Sequence, residues 1–171
     1  MIARVVLETE LKFEIDQACA ARLIERLSLD EAGRRRRLRT VYYDTPGGHL
    51  AKAGFVLRVR DDGRKHIQAI KQAPQDGGSL RRGEWEDTVE GEAFDLKSAR
   101  KTPLKRWLKP AIVAALGPVF VVDVERAKCD LPMGGGVVEV ALDRGEVAAG
   151  GRATPIHELE RYMRCKDCSE V

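Results

Sequence analysis

The sequence predicts an α+β fold: an eight-stranded antiparallel barrel, closed or nearly closed, with peripheral helices. Two observations predict it. Runs of period-two alternation recur along the chain, bounded by turns rich in Gly, Pro and Asp. Helical periodicity is confined to two insertions, so most strand connections are hairpin-like, and antiparallel strands in such number tend to close. A third observation gives this fold a chemistry, because strand after strand carries charges of both signs on one face.

The first strand is expected at about residues 4–14, where Glu8, Glu10 and Lys12 share one face and Leu7, Thr9, Leu11 and Phe13 the other. Asp16 then caps a helix running through Leu27, with Ala18, Leu23, Ile24 and Leu27 as its apolar stripe. The run Arg34 to Arg37 reads as a solvated loop leading into a strand, or else as a basic rim that guides polyanions inward. The second strand covers Leu38 to Asp44 and stops at Thr45-Pro46-Gly47-Gly48. A short helix over His49 to Ala53 precedes Gly54. The third and fourth strands, Phe55 to Arg60 and Lys65 to Gln72, form a hairpin about Asp61-Asp62-Gly63. After a loop with Pro74, Gly77 and Gly78, the fifth strand spans Leu80 to Val89. Residues Glu92 to Gly117 read as helical, broken by Pro103 and Pro110. The sixth strand is expected at Val119 to Leu131, the seventh at Val137 to Val147 and the eighth at Ala153 to Met163, with glycine turns between them.

A chain of 171 residues fits one domain, here residues 1–163 followed by a tail over 164–171, with no internal repeat. Charged residues make up 33%, yet the net charge is only +3. Balanced charge suits a site that holds both an anion and metal ions, and suits non-specific nucleic-acid coating less well. There is no apolar signal core and no run of membrane-spanning length, so a soluble cytoplasmic protein is expected, with no membrane partner and no specific nucleic acid. Cys19 and Cys129 read as small apolar residues. Cys165 and Cys168 form a CxxC, but zinc needs four ligands and no second pair or nearby His supplies them, so the segment reads as a tail with two thiols.

The period-two rule sorts the charges. Arg39 and Tyr43 fall together on the second strand, Arg58 with Arg60 on the third, and Lys71 ends the fourth. Arg82, Glu84 and Glu86 align on the fifth, opposite Trp85. Arg126 lies on the sixth, Glu139 and Asp143 align on the seventh, and Glu158 with Glu160 on the eighth. One such strand would read as a solvated face. Across all eight that reading weakens, because the opposite faces are strongly apolar (Phe55-Leu57-Val59 and Val138-Val140-Leu142) and need a cover. A sheet apolar outside, under its helices, and charged inside follows; such a lumen is costly unless its charges pair and a ligand fills it. The basic set is rich in Arg, whose guanidinium forks match phosphate oxygens. The acidic set, Glu8, Glu10, Asp143, Glu158 and Glu160, would repel phosphate unless Mg²⁺ or Mn²⁺ lay between them, since hard cations take carboxylate and phosphate oxygens together. Metal-assisted phosphoanhydride chemistry is the natural inference.

These residues resemble the CYTH superfamily, the triphosphate tunnel metalloenzymes. The hallmark is Glu8-Thr9-Glu10-Leu11-Lys12, and the remainder matches in order: Tyr42-Tyr43-Asp44-Thr45-Pro46, Leu57-Arg58-Val59-Arg60, the segment Ile67 to Lys71, Arg82-Gly83-Glu84-Trp85-Glu86, Arg126, the segment Val138 to Gly145, and Glu158-Leu159-Glu160. The match spans nearly the whole chain and looks most like bacterial inorganic triphosphatases. The resemblance implies that Lys12, Arg39, Arg58, Arg60, Lys71, Arg82 and Arg126 bind triphosphate, and that Glu8, Glu10, Asp143, Glu158 and Glu160 hold one or two metal ions. It implies that Glu84, Glu86 and Glu139 line the tunnel. Lys12 and Tyr43 are the catalytic candidates, Tyr43 by orienting a leaving-group or substrate oxygen, with a metal-activated water as nucleophile. Two departures stand out. Tyr162 occupies a position where the family often has a third Glu, and these 171 residues are not expected to include the helical CHAD domain that many bacterial relatives carry.

Hydrolysis of inorganic triphosphate, or of another small molecule bearing a triphosphate, is the leading expectation. Alternatives are a class IV-type adenylyl cyclase or thiamine-triphosphatase, and a non-catalytic module binding polyphosphate or nucleotide. Five aromatics could serve a nucleobase: Phe13, Tyr42, Tyr43, Phe55 and Tyr162. The oligomeric state is left open.

Overall fold

The computed structural model describes residues 9–31, 34–73, 83–133 and 136–164. Glu8, Arg82 and the Cys165/Cys168 pair lie outside the described residues. Eight strands form one antiparallel sheet: β1 (Thr9–Glu14), β2 (Arg35–Asp44), β3 (Phe55–Asp61), β4 (His66–Gln72), β5 (Gly83–Val89), β6 (Gly117–Met133), β7 (Gly136–Ala149) and β8 (Arg152–Arg164). Their order is β1-β8-β7-β6-β2-β3-β4-β5, with β1 and β5 as the terminal members. The helices are few: α1 (Gln17–Leu27), α2 (His49–Lys52), α3 (Leu96–Ala99), a 3₁₀ turn (Pro103–Arg106) and α4 (Pro110–Ala115). The fold class is the expected one. No helix among the described residues is long and apolar enough to cross a membrane.

The described residues group into two compact units. One is built from Leu38–Asp123 and Val147–Ala153, the other from stretches within Val6–Arg37, Val124–Glu146 and Thr154–Val171.

In the first unit the β2–β3–β4–β5 register sorts side chains by face. Tyr42 stands opposite Arg58, Thr40 opposite Arg60, and Lys71 opposite Glu84. The other face carries Val41, Tyr43, Phe55, Leu57, Val59 and Ile70, which form the core with Leu50, Ala99, Leu104 and Leu108 from the helical segments. The helices therefore cover the apolar face, as the sequence implied. The long helical stretch expected over Glu92–Gly117 is instead three short pieces. Pro103 and Pro110 each start one at N1 or N2, where a missing N–H costs nothing. Gln68 anchors this excursion: its side chain donates to the carbonyl of Asp95 and accepts from the Asp95 N–H, at 3.1 and 2.7 Å. Gly83 is required by packing, since an added Cβ would overlap the ring of Trp85, which folds back over it while touching the core.

Asp44, in the Tyr-Tyr-Asp-Thr-Pro segment, is a structural carboxylate. Gly48 at the N-cap of α2 has no side chain to cap the helix. Asp44 accepts instead from Leu50 N–H at 2.8 Å and Ala51 N–H at 3.0 Å, and also from Thr45 N–H at 2.7 Å.

In the second unit, Asp16 caps α1 by accepting from Cys19 N–H at 2.6 Å, and Ser28 closes it at φ 49°. Its buried stripe is Ala20, Ile24 and Leu27 rather than one beginning at Ala18, which is exposed. With Leu29, these residues pack on Ala127 and Leu142 of β6 and β7. Cys129 packs against this cluster, and burial, reinforced by Asp130 and opposed by Arg34, pushes its thiol pKa up, in keeping with an inert, small apolar role. The Arg34–Arg37 run is not a loop throughout. Arg35 opens β2, its guanidinium 3.4 Å from Glu125, while Arg34 C=O accepts from Lys128 N–H at 3.1 Å. Cross-strand partners that the sequence does not reveal extend the strand by three residues.

Asp44→Ala leaves two buried N–H groups and one part-buried N–H group without this acceptor. It is expected to lower unfolding free energy by about 3 kcal/mol in urea denaturation, with Asp44→Asn intermediate.

Candidate functional site

The densest charge lies in the second unit. Antiparallel pairing sets Lys12 opposite Glu160 and Glu14 opposite Glu158, so the charged face of β1 meets the charged face of β8. One carboxylate oxygen from each of Asp143, Glu158 and Glu160 falls within 4.8 Å of the others. Asp143 and Glu160 are buried, Glu158 half-buried. Two cations hold them together. Arg126 donates from Nε to Asp143 Oδ1 at 2.7 Å, and from Nη2 to Asp143 Oδ2 and Glu160 Oε2 at 2.6 Å each. Lys12 Nζ lies 2.5 Å from Glu158 Oε2 and 3.5 Å from Glu160 Oε1. Burial alone would lower the Lys12 pKa, but the hydrogen bonds and charges of Glu158 and Glu160 outweigh it and hold it above the usual 10.5.

Among the described residues, three carboxylates stand with two cations in this cluster. The donor set is all oxygen, hard and partly buried, which fits a hard divalent cation. The residues present therefore suit such a metal. Glu10, by register opposite Tyr162, belongs to the same face of β1 as Lys12.

The second unit adds a pair that the sequence reading overlooked. Lys128 Nζ lies 3.0 Å from Glu139 Oε2, so Glu139, expected to line a tunnel, is a buried carboxylate with its own cation. Lys128 stands two residues beyond Arg126, and the period-two rule could have found it. Glu14, on the Lys12 face, was overlooked in the same way.

The first unit gathers a different set. Lys71 Nζ lies 3.1 Å and Arg58 Nη2 3.8 Å from the same oxygen of Glu84. Arg60 Nε donates to Thr40 Oγ1 at 3.1 Å. Arg58 Nε is buried with no hydrogen-bond partner among the described residues, an orphaned donor that an anion would satisfy. Glu86 sits on the same face of β5, opposite Ala69, and is exposed. Tyr42, opposite Arg58, is stacked on Phe120 with centroids 4.2 Å apart.

Arg39 and Tyr43 require a correction. The register places them with Val41 and Val59, on the face opposite Arg58 and Arg60. Arg39 pairs with Glu92 at 3.2 Å. Tyr43 is buried, donates its hydroxyl to the Glu92 carbonyl at 2.8 Å, and meets Phe94 edge-on. Their shared face is the core face of β2, where Val41 stands opposite Val59 and Tyr43 opposite Leu57. Burial, with Glu92 adding and Arg39 opposing, raises the Tyr43 pKa above 10.0.

Comparison with known proteins converges on one family. The CYTH domain matches residues 7–162. A Bacillus halodurans protein provisionally assigned as an adenylate cyclase has a similar structure, with a TM-score of 0.61 at 20% identity over 91% of this chain and 79% of its own. A protein of Pyrococcus horikoshii OT3 gives 0.54 at 22% over 95% and 81%. A Hippeastrum protein, provisionally an adenylyl cyclase and described as having a dominant triphosphatase activity, gives 0.51 at 16% over 91% and 78%. At these identities the likeness is one of fold.

Tyr43→Phe is expected to cost about 1 kcal/mol through the lost hydrogen bond. The raised folded pKa means that the tyrosine's linkage contribution is full below about pH 10 and is lost as pH climbs through the folded value. Unfolding curves across alkaline pH should show that loss in the native protein and its absence in the variant. Arg126→Met strands two buried carboxylates and is expected to destabilise by about 3–5 kcal/mol in metal-free buffer, read by urea denaturation.

Proposed function

This chain belongs to the CYTH domain family, and from that premise we propose that it hydrolyses inorganic triphosphate to diphosphate and phosphate with a divalent cation, Mg²⁺ or Mn²⁺. One observation carries the reading: the carboxylates of Asp143, Glu158 and Glu160 converge with Lys12 and Arg126 among them. An anion-binding module would have no use for so many carboxylates.

In this reading Asp143, Glu158 and Glu160 hold the cation, joined by Glu8 and Glu10 from the same run. The cation, when bound, would neutralise developing charge on phosphoanhydride oxygens. Lys12 and Arg126 already stand among these carboxylates and would turn donors toward phosphate oxygens. Arg58, Arg60, Lys71 and Arg82 supply further phosphate donors. The orphaned Arg58 Nε supports an anion there, and Glu84 keeps Lys71 and Arg58 oriented meanwhile. In the reaction, water oxygen bonds to the terminal phosphorus and the P–O–P bridge breaks. Diphosphate leaves with the electron pair; one water proton stays on the attacking oxygen as an O–H of the released phosphate, and the other passes to the diphosphate or to solvent. Positioned charge does most of this work.

Substrate choice follows from the aromatics. Tyr43 and Phe55 are in the core, Tyr42 is already stacked on Phe120, and Phe13 is on the opposite face of β1 from Lys12. These four rings therefore leave a nucleobase little to stack on, which supports inorganic triphosphate over ATP or thiamine triphosphate; Tyr162 falls outside the residues whose side chains are described.

Glu160→Gln and Glu158→Gln are expected to lower turnover about 10²-fold or more and to shift the metal titration, with unchanged circular dichroism. Phosphate release from triphosphate, ATP, thiamine triphosphate and long polyphosphate, with Mg²⁺ or Mn²⁺, is the measurement. Near-native turnover by both variants would sink the metal assignment. Cyclic AMP as the main product from ATP would replace hydrolysis by cyclisation.

A further inference from the structure

The helical excursion of the first unit carries a second concentration of positive charge. Between Lys97 and Lys109 its exposed positions include Lys97, Arg100, Lys101, Lys105, Arg106 and Lys109, with no acidic residue in the segment. None of the six has an ion-pair partner among the described residues. This contrasts with Arg58 and Lys71, which share Glu84. Holding so many like charges together is repulsive, and here they are also held rigidly. Asp95 accepts from Lys97 N–H at 2.7 Å, and Thr102 accepts from Leu104 N–H at 3.2 Å and donates to Ala99 C=O at 2.8 Å. Ser98, Ala99, Leu104 and Leu108 are buried beneath. Leu104 and Leu108 pack on the core face of the sheet, so this patch is on the opposite side of β2–β5 from Arg58 and Lys71.

Two shallow, open hollows lie on this patch. One hollow of about 370 Å³ is lined by Lys101, Thr102, Pro103, Lys105 and Arg106. A second of about 250 Å³ adds Phe55, Trp107 and Lys109 and shares Pro103 and Arg106 with the first. Trp107 is 41% exposed, its ring steeply inclined against His49 at 6.0 Å. Cations therefore line both adjoining hollows, and one exposed aromatic, Trp107, stands beside Arg106 and Lys109 in the second.

We propose that this surface binds single-stranded nucleic acid without sequence preference, its phosphates on Lys101, Lys105, Arg106 and Lys109 and a base stacked on Trp107. Basic residues alone would serve any polyanion. The apolar lining with a half-exposed indole is what an inorganic polyphosphate or a polyglutamate cannot use, and what the π-face of a base can. Charge complementarity supplies affinity without base-edge readout, so binding falls steeply with salt. The proposal is independent of the hydrolytic reading, because it concerns other residues and is measured without turnover.

The test is fluorescence anisotropy of a labelled single strand of about 12 nucleotides, titrated with the full chain between about 50 and 200 mM salt. The native protein should bind saturably and lose affinity as salt rises. Lys101→Glu/Lys105→Glu should bind at least tenfold more weakly and with a shallower salt dependence. Trp107→Ala should lose about tenfold with the salt dependence retained, and Trp107→Phe should recover much of that loss. Thermal unfolding checks that each variant is folded, and the double charge reversal, at exposed positions, tests the surface even if Trp107→Ala is unstable. Absence of saturable binding at low salt overturns the proposal. So does native affinity in the charge-reversal variant or in folded Trp107→Ala, and so does displacement of the strand by polyphosphate or polyglutamate, at equal charge, as effective as that by unlabelled strand.

Discussion

Arg126 is the residue on which the candidate site depends. Asp143 and Glu160 have side chains only 7% and 6% exposed, and carboxylates so placed are intolerable alone. One guanidinium serves both, with two bonds to Asp143 and one to Glu160, a fork that Lys could not reproduce. The pair is tied to a third carboxylate, Glu158, through Lys12. The outcome is a preorganised cluster of oxygen donors of the kind that could hold a metal ion. Such an arrangement is poor for stability by itself, since an apolar replacement would pack as well.

The first unit solves a related problem by sorting. Its strands put apolar residues on one face and Arg58, Arg60 and Lys71 on the other. Only the apolar face receives the helices. Two buried polar side chains tie those helices down: Gln68 grips the backbone of Asp95, and Asp44 caps α2. Residues that look like parts of a chemical motif, Asp44 and Tyr43 among them, are thus fixtures of the scaffold. The acidic cluster lies with the second unit, while the Arg58 face of the first holds Arg58, Arg60 and Lys71 against Glu84 and Glu86.

Much of this was legible because a strand exposes its logic at a period of two. Glu158 could be placed beside Glu160 from spacing alone, as could Glu10 with Lys12, Arg58 with Arg60 and Glu84 with Glu86, whereas the meeting of Lys12 with Glu160 needed the strand register. The same rule misled for β2. Arg39 and Tyr43 share a face, but the rule does not say which face is buried, and the apolar Val41 between them was the better guide. It was also applied too narrowly, missing Lys128 beside Arg126 and Glu14 beside Lys12. The helical excursion was placed correctly but drawn too continuous. Each proline there begins a new short element.

The sequence by itself determined the fold class, the order of elements and the residue types at the candidate site, because alternation, turn residues and charge are local properties of the chain. Only the tertiary structure decided which charges pair. Lys128 pairs with Glu139, Lys71 and Arg58 share Glu84, and Asp143 meets Glu160 through a residue from a third strand. Those partners lie 11 to 34 positions apart. Strand register fixes such encounters, and register is set by packing across the whole sheet, which no single segment contains.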